Sequence, residues 1–306
     1  MLLPPIAAML LGLFGTRLGR RLPPATAVRL LSFAALCTAL ATGAVLAAAG
    51  VVVVGQVPLV ARLGHWSGTA IRSGDPVPTL AGVLAGAALL WLLGSTLRRV
   101  VSTGRELTAA ARICRHLGPA AEGLVIVDDE APDAYALPGI RGRIVVSTAM
   151  LRALPGEERR VLLAHEAAHL AHRHHLYVQL AELAAAANPL LRPVSRAVRL
   201  AVERWADEVA ATEVGNRRLA AQALARAGLA RSQRRAGAAP AAALTAVDSG
   251  VAERARALLA GPPRPRPLLA AAVVAVVLAT TAAAAETSHE TASRFERAEA
   301  LYVTAR

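Results

Sequence analysis

Five of the eight histidines of this 306-residue chain lie within residues 162–175, LLAHEAAHLAHRHH. His165 and His169 are four residues apart, so on a helix both imidazoles project from one face, one turn apart. Two imidazoles at this spacing can bind one zinc ion, with zinc–nitrogen bonds of about 2.0–2.1 Å. Glu166 follows the first histidine, and its carboxylate is expected to flank the ion and to accept a proton from water there. The pattern predicts a catalytic metal site.

A catalytic zinc ion usually has three protein ligands and one open position, so a third ligand is required. Glu203 is the candidate, because the chain after His169 is long enough to end one helix and to return with a second. Asp207 lies one turn further and can accept the free N–H of a ligating histidine, which would fix its tautomer. The alternative is that both carboxylates belong to an exposed charged face, paired with Arg199 and Arg204.

The three histidines after the motif have two interpretations. They can tune the site or stabilise an oxyanion, or they can form a cationic helix end, where the helix dipole favours positive charge. The second interpretation is favoured for His172, His174 and His175. Candidates for oxyanion stabilisation are His172 and Tyr135, with Tyr177, Arg217 and Arg218 as alternatives that no pattern selects.

The composition indicates an integral membrane protein. Hydrophobic residues make up 55% of the chain and aromatic residues only 3%, a mixture that suits helices packed in lipid. Four apolar runs stand out, at residues 2–16, 30–54, 80–97 and 267–285, although the first is short against the ~20 residues that a bilayer core needs. We expect about four transmembrane helices. The alternative is that some of these runs are core helices of a soluble α-protein.

The net charge of +13 comes from 34 basic and 21 acidic residues, and every basic residue is arginine. Arginine together with abundant alanine indicates a bacterium with a GC-rich genome. The arginines concentrate after the first run, after the third and before the last. If all four runs cross the cell membrane, the positive-inside rule places these segments in the cytoplasm and both termini outside. A nucleic-acid partner is not expected, because there is no aromatic platform beside the arginines.

The apolar runs divide the chain. Residues 1–97 form an N-terminal membrane region, 98–266 a cytosolic domain, 267–285 a C-terminal transmembrane helix and 286–306 a short extracytoplasmic tail. Within the cytosolic domain, β-branched runs at 123–128, 134–139 and 142–147 predict a small β-sheet. Helices are predicted at 155–175, 193–214 and 219–231. The fold class is therefore a mainly α integral membrane protein with a cytosolic α+β domain.

The motif His165-Glu166-x-x-His169, followed by Glu203-x-x-x-Asp207 beside apolar runs and the strands AYALPG and RIVVS, resembles the membrane gluzincin metallopeptidases. Two branches fit: the antirepressor peptidases of the BlaR/MecR type, and the HtpX and CAAX-endopeptidase type. The resemblance covers about residues 95–230. The BlaR/MecR members carry a large extracellular penicillin-binding domain after the last span. Only a short segment without a Ser-x-x-Lys motif follows here, which disfavours direct β-lactam sensing.

The resemblance implies a zincin-like metalloprotease domain with one zinc ion per chain. It implies His165, His169 and Glu203 as zinc ligands, Glu166 as general base and Asp207 as the residue that orients a ligand. The implied partners are the lipid bilayer and a protein or peptide substrate, specifically a cytosolic transcriptional repressor cleaved in regulatory proteolysis. It also implies that the strand at Arg143–Ser147 is an edge strand that pairs with substrate.

Two other functions remain open from the sequence. One is an HtpX-like membrane protease for protein quality control. The other is a membrane signalling protein whose zinc site is structural or vestigial, which Glu166 disfavours because a structural site does not need that carboxylate.

Overall fold

Helices account for most of the chain, with one small sheet between them. The computed structural model describes residues 2–73, 78–116, 123–139, 142–235 and 241–304. The elements are α1 (Leu3–Arg21), α2 (Pro24–Gly55), α3 (Pro58–Gly64), α4 (Gly68–Ser73), α5 (Thr79–His116), β1 (Leu124–Val127), β2 (Ala134–Leu137), β3 (Arg143–Ser147), α6 (Thr148–Ala153), α7 (Gly156–Ala171), α8 (His174–Ala187), α9 (Arg192–Val214), α10 (Arg217–Arg235), α11 (Ala241–Leu259) and α12 (Pro267–Thr304). A short 3-10 turn, Pro189–Leu191, joins α8 to α9.

The long helix α2 is the element on which the others pack. It contacts α1, α5, α8, α9 and α12. Its buried Leu31 lies in one apolar cluster with Leu191 and Val198, from the turn and helix that follow α8. The side-chain amide of Asn188, at the tip of the α8–α9 hairpin, donates to Thr42 Oγ1 of α2 at 3.3 Å. The hairpin therefore runs beside the first half of α2, and α1, α2, α8 and α9 share one apolar core.

Among the described residues, three helices are long and apolar enough to cross a membrane: α2, α5 and α12. The expectation of four spans is therefore corrected. The first apolar run does form a helix, α1, but its last turns carry Arg17, Arg20 and Arg21, which lower its mean hydropathy. The glycine-rich face of α1 lies against the start of α9 and the turn before it. A Cβ at Gly12 would be 2.2 Å from the carbonyl oxygen of Leu190.

The sheet has the strand order β1-β3-β2, with β1 parallel and β2 antiparallel to β3. The expectation that Arg143–Ser147 is an edge strand is wrong, because β3 is central. Its neighbouring residues Val145 and Val146 point to opposite faces and are both fully buried, as a strand covered on both sides requires. The edge strand that contacts α7 is β2.

The predicted helix at 155–175 is interrupted. Pro155 precedes α7, and the helix ends at Ala171. Arg173 adopts a left-handed conformation with φ of 51°, so His174 begins a new helix instead of continuing the old one. No glycine marks this break, which is why the sequence concealed it. The predicted helix at 193–214 is confirmed as α9, and Gly215, with φ of 67°, ends it as expected.

Two of the predicted domain boundaries fall inside continuous helices, since α5 runs through residue 97 and α12 runs through residue 285. The end of α12 packs on the segment between α3 and α4. The Trp66 and Phe295 rings meet edge to face with centroids 5.1 Å apart, and the backbone N–H of Ser67 donates to the Ala298 carbonyl at 3.0 Å. Residues 286–304 are therefore helical and lie at the same end of the helix bundle as α3 and α4.

We expect Gly12→Ala to lower the thermal unfolding temperature of the detergent-solubilised protein by several degrees. The added methyl group would press on the Leu190 carbonyl oxygen, and overpacking of this kind costs about 1–3 kcal/mol. Gly43→Ala on α2 is the matched control, because a Cβ there has no heavy atom within 4 Å and alanine favours a helix. Unfolding temperatures that are equal in the two variants would contradict the close packing of α1.

Candidate metal centre

Three candidate ligand atoms converge where α7 and α9 meet. His165 Nε2 is 3.2 Å from His169 Nε2. The two carboxylate oxygens of Glu203 lie 3.6 Å from His165 Nε2 and 3.7 Å from His169 Nε2. Ligands of one tetrahedral zinc ion, bonded at about 2.0–2.1 Å, are about 3.3 Å apart. The donor set and its spacing therefore fit a single zinc ion, and Glu203 is turned towards α7 with its side chain 39% exposed.

Asp207 lies one turn beyond Glu203 and is buried. Its Oδ1 is 3.1 Å from His165 Nδ1, so the His165 Nδ1–H donates to it. When His165 gives up one proton, as metal binding requires, this hydrogen bond keeps the remaining proton on Nδ1, so that the unprotonated Nε2 faces the other two candidate ligands. The sequence predicted that Asp207 accepts the N–H of a ligating histidine, and the structure places Asp207 beside His165 at this distance.

His174 stands behind the second candidate ligand. Its side chain is buried, 1% exposed, and its Nδ1 lies 3.1 Å from His169 Nδ1. Burial lowers the pKa of His174 to about 3, so the ring is neutral and can accept a hydrogen bond from His169 Nδ1–H. The interpretation of His174 as part of a cationic helix end is therefore corrected. Its imidazole is buried and neutral, and it orients His169.

Arg254 completes the site and was missed by the sequence analysis. Its guanidinium, carried by α11, donates to both carboxylate oxygens of Asp207 at 2.8 and 2.7 Å. A third nitrogen lies 2.9 Å from Glu203 Oε2. One arginine therefore bridges the two acidic residues of α9. In the sequence it was one of several arginines before the last apolar run, with no spacing that linked it to the motif.

The charges of this cluster are strongly coupled. Burial opposes protonation of His165, but hydrogen bonds to Asp207 and Glu203 outweigh it and raise the pKa of this imidazole to about 9. Burial and the neighbouring His165 lower the pKa of His169 to about 4. Burial would raise the pKa of Glu203 and of Asp207, yet His165 and Arg254 hold both below their usual range. At neutral pH both carboxylates are ionised.

Glu166 lines the same cleft and is 6% exposed. Burial raises its pKa, although a hydrogen bond from the backbone N–H of Ala136, in β2, acts in the opposite direction. A carboxylate with a raised pKa is suited to accept and return a proton near neutral pH. The cleft has a volume of about 730 Å³ and is bounded by β2 and by helices α7 to α11, so a peptide segment can enter it.

The structure separates the candidates for oxyanion stabilisation. Tyr135 of β2 lines the cleft. His172 stacks on the Trp205 ring at 4.6 Å and is not part of the cleft wall. Arg217 is engaged by the carboxylate of Glu208, at 2.6 and 2.8 Å. Of these side chains Tyr135 is placed best, and its role stays a prediction.

Metal binding is expected to release protons in a pH-dependent way. A ligating imidazole must be deprotonated at the bonding nitrogen, and the pKa values of His165 and His169 are about 9 and about 4. Between these values His165 alone gives up a proton, so about one proton leaves per ion and affinity rises about tenfold per pH unit. Above about pH 9 the dependence ends.

Isothermal titration of the metal-free protein with zinc, in buffers of different protonation enthalpy, measures this release. Asp207→Asn should lower the pKa of His165 and end the pH dependence at a lower pH. Zinc binding without proton release at pH 7 would contradict the coupling between His165 and the two carboxylates.

One of the comparisons with known proteins gives a match, and it includes the motif on α7. Residues 95–183 match the model of peptidase family M48. This segment spans the C-terminal part of α5, the sheet, α7 with its motif and most of α8. No curated protein and no solved structure matches the chain. Glu203, Asp207 and Arg254 lie beyond the matched segment. The match confirms the resemblance to the membrane gluzincin metallopeptidases and does not distinguish the BlaR/MecR from the HtpX branch.

Proposed function

We propose that this protein is a membrane-embedded zinc endopeptidase. The observation that carries the proposal is the convergence of His165, His169 and Glu203 beside a buried carboxylate, Glu166, in one cleft. Peptidase family M48 indicates metal-dependent proteolysis, and the imidazole–imidazole–carboxylate donor set favours zinc as the metal. A purely structural zinc site would have no use for Glu166 in the cleft wall.

Bound zinc would act as a Lewis acid that polarises a carbonyl and lowers the pKa of water to about 7. Glu166 accepts a proton from the attacking water as its oxygen adds to the scissile carbonyl carbon. It then delivers that proton to the amide nitrogen as the carbon–nitrogen bond breaks. Asp207 and His174 hold the two histidines in the required tautomers, and Tyr135 is the candidate donor to the oxyanion.

The substrate we propose is a protein segment in extended conformation, lying along β2. This strand is the sheet edge at the cleft, and its Ala136 N–H and Ala134 carbonyl point away from β3. Ala136 N–H hydrogen bonds to Glu166, and the Ala134 carbonyl accepts from Arg231 at 2.9 Å. A peptide that pairs with this edge would replace these two hydrogen bonds, and backbone pairing of this kind binds a peptide whatever its side chains.

The finer proposal is regulatory cleavage, with a cytosolic transcriptional repressor as the specific substrate suggested by the BlaR/MecR resemblance. Quality-control proteolysis of the HtpX type is the alternative. Both use the same chemistry, so they differ in substrate and not in mechanism.

We also propose that the cleft faces the cytoplasm. With α2, the first half of α5 and α12 as the spans, the arginine-rich segments before α2, in the second half of α5 and before α12 still lie on one side, which the positive-inside rule makes cytoplasmic. The N-terminus then lies in the cytoplasm, since α1 does not cross. Residues 286–304 lie outside with α3 and α4, and the contact between Trp66 and Phe295 agrees with this arrangement.

Glu166→Gln is expected to abolish proteolysis while zinc binding is retained, because the amide cannot accept the proton of water. The loss should be at least about 10³-fold, within the range that general-base catalysis contributes. Cleavage of an unfolded protein such as casein measures activity, and metal analysis measures zinc. The matched control is Glu157→Gln, an exposed residue in the first turn of the same helix, which should change neither. Activity that survives in Glu166→Gln would refute the mechanism.

The orientation is tested with a membrane-impermeant maleimide on intact cells, in a Cys37→Ser background. Native Cys114, near the C-terminal end of α5, should react only after permeabilisation. Leu63→Cys, in α3, where the side chain is 73% exposed, should react in intact cells once Cys114 is replaced by serine. The reverse labelling pattern would place the cleft outside the cell and contradict the proposal.

A further inference from the structure

A second, smaller cavity of about 370 Å³ lies between α5, α8 and α9, separate from the catalytic cleft. We call it the arginine pocket. Four arginines line it, two from α5 and two from α9, and its only acidic residue is Glu182 of α8. The arginines are Arg98, Arg99, Arg192 and Arg199.

The single carboxylate does not balance these charges. Glu182 is 10% exposed and forms ion pairs with both Arg99 and Arg199. Arg98 and Arg192 are exposed, and neither guanidinium group forms a hydrogen bond or ion pair within the part of the chain that the structure describes. The guanidinium groups of Arg98 and Arg192 are therefore available to bind an anion.

The positive-inside rule does not account for this convergence. It explains why arginines follow a membrane span, and Arg98 and Arg99 do follow the apolar residues 80–97 of α5. Arg192 and Arg199, however, are brought to the same place by the fold of the α8–α9 hairpin. Like charges brought together at a low-dielectric boundary repel each other, unless a bound anion lies between them.

The wall of the pocket is apolar towards the membrane. Trp91 lines it and is 57% exposed, at the place where aromatic side chains meet the lipid headgroups. Leu80 and Leu84 lie on the same face of α5 by helical spacing and are 71% and 60% exposed. The pocket thus joins a cationic end to an apolar track along a membrane-spanning helix.

We propose that the arginine pocket binds the phosphate group of an anionic phospholipid, whose acyl chains lie along α5. Guanidinium groups bind phosphate oxygens through paired, charge-assisted hydrogen bonds, and basic pockets between membrane helices bind anionic headgroups. Free phosphate shares the contacts to Arg98 and Arg192 but has no part that fits the apolar track. This proposal does not depend on the proposed peptidase activity.

Occupancy of the arginine pocket would bear on the catalytic cleft through one side chain. Arg99 donates to Gln179 Oε1 at 2.8 Å, and Thr103 donates to the same oxygen at 2.9 Å. Gln179 also lines the catalytic cleft. A lipid phosphate that binds at the junction of α5, α8 and α9 therefore stabilises the packing of α5 on α8, the helix that carries Gln179.

The test is the thermal unfolding of the full chain in detergent micelles with added phosphatidylglycerol, phosphatidylcholine or inorganic phosphate. We expect phosphatidylglycerol to raise the unfolding temperature by about 5 °C at saturation, and the other two to have no comparable effect. The Arg98→Gln/Arg192→Gln variant should lose this increase. The matched control, Arg105→Gln/Arg112→Gln, removes two exposed arginines of α5 outside the pocket and should retain it.

Three results would overturn the proposal: an equal rise with phosphatidylcholine, an equal rise with inorganic phosphate alone, or an undiminished rise in the Arg98→Gln/Arg192→Gln variant. If that variant does not fold, a photoactivatable phosphatidylglycerol is used with the natural sequence. Crosslinks should map to the pocket walls, around Ser95 of α5 and Pro189 before α9. Crosslinks spread evenly over α2, α5 and α12 would equally overturn the assignment.

Discussion

Two carboxylates one helical turn apart, Asp207 buried and Glu203 half-buried, lie together at the contact of α9 with α7, and much of the structure follows from this constraint. Glu203 and Asp207 are both ionised, so positive charge has to meet them from neighbouring helices. α7 supplies His165, and α11 supplies Arg254, which touches both acids. Without an ion, protonated His165 and Arg254 balance the two negative charges. In the proposed peptidase zinc would take over the role of that proton.

The helices next to the same site pack on α2, one of the three candidate spans. α8 and α9 form a hairpin that lies along the first half of α2. The hydrogen bond from Asn188 to Thr42 fixes the position of the hairpin tip along α2. α9 carries the acids at one end, and the turn before it contacts α1. Consequently the helix that completes the candidate metal centre is also part of the apolar core that α1, α2 and α8 form. A change in the packing of α5, α8 and α9 therefore involves the helix that carries Glu203.

Much of the site was predictable because it depends on local spacing. The four-residue separations of His165 from His169 and of Glu203 from Asp207 hold on any α-helix, and β-branched runs bounded by glycine and aspartate predicted the strands. What failed depended on partners distant in sequence. Arg254 approaches α9 only because α11 folds back, and the central position of β3 follows from which strands pair. The turn at Arg173 has no glycine to reveal it, and the apolar start of α1 suggests a span although the arginines of its last turns keep its hydropathy too low.

The central claim is that His165, His169 and Glu203 hold one zinc ion. The most direct measurement is an anomalous-difference map at the zinc edge from the zinc-loaded protein. The account predicts one strong peak per chain, bonded to both Nε2 atoms at about 2.0–2.1 Å and to a Glu203 oxygen at about 2.0–2.2 Å, with Asp207 bonded to His165 and not to the metal. A peak among His172, His174 and His175 instead, or no peak in a correctly folded chain, would contradict the account.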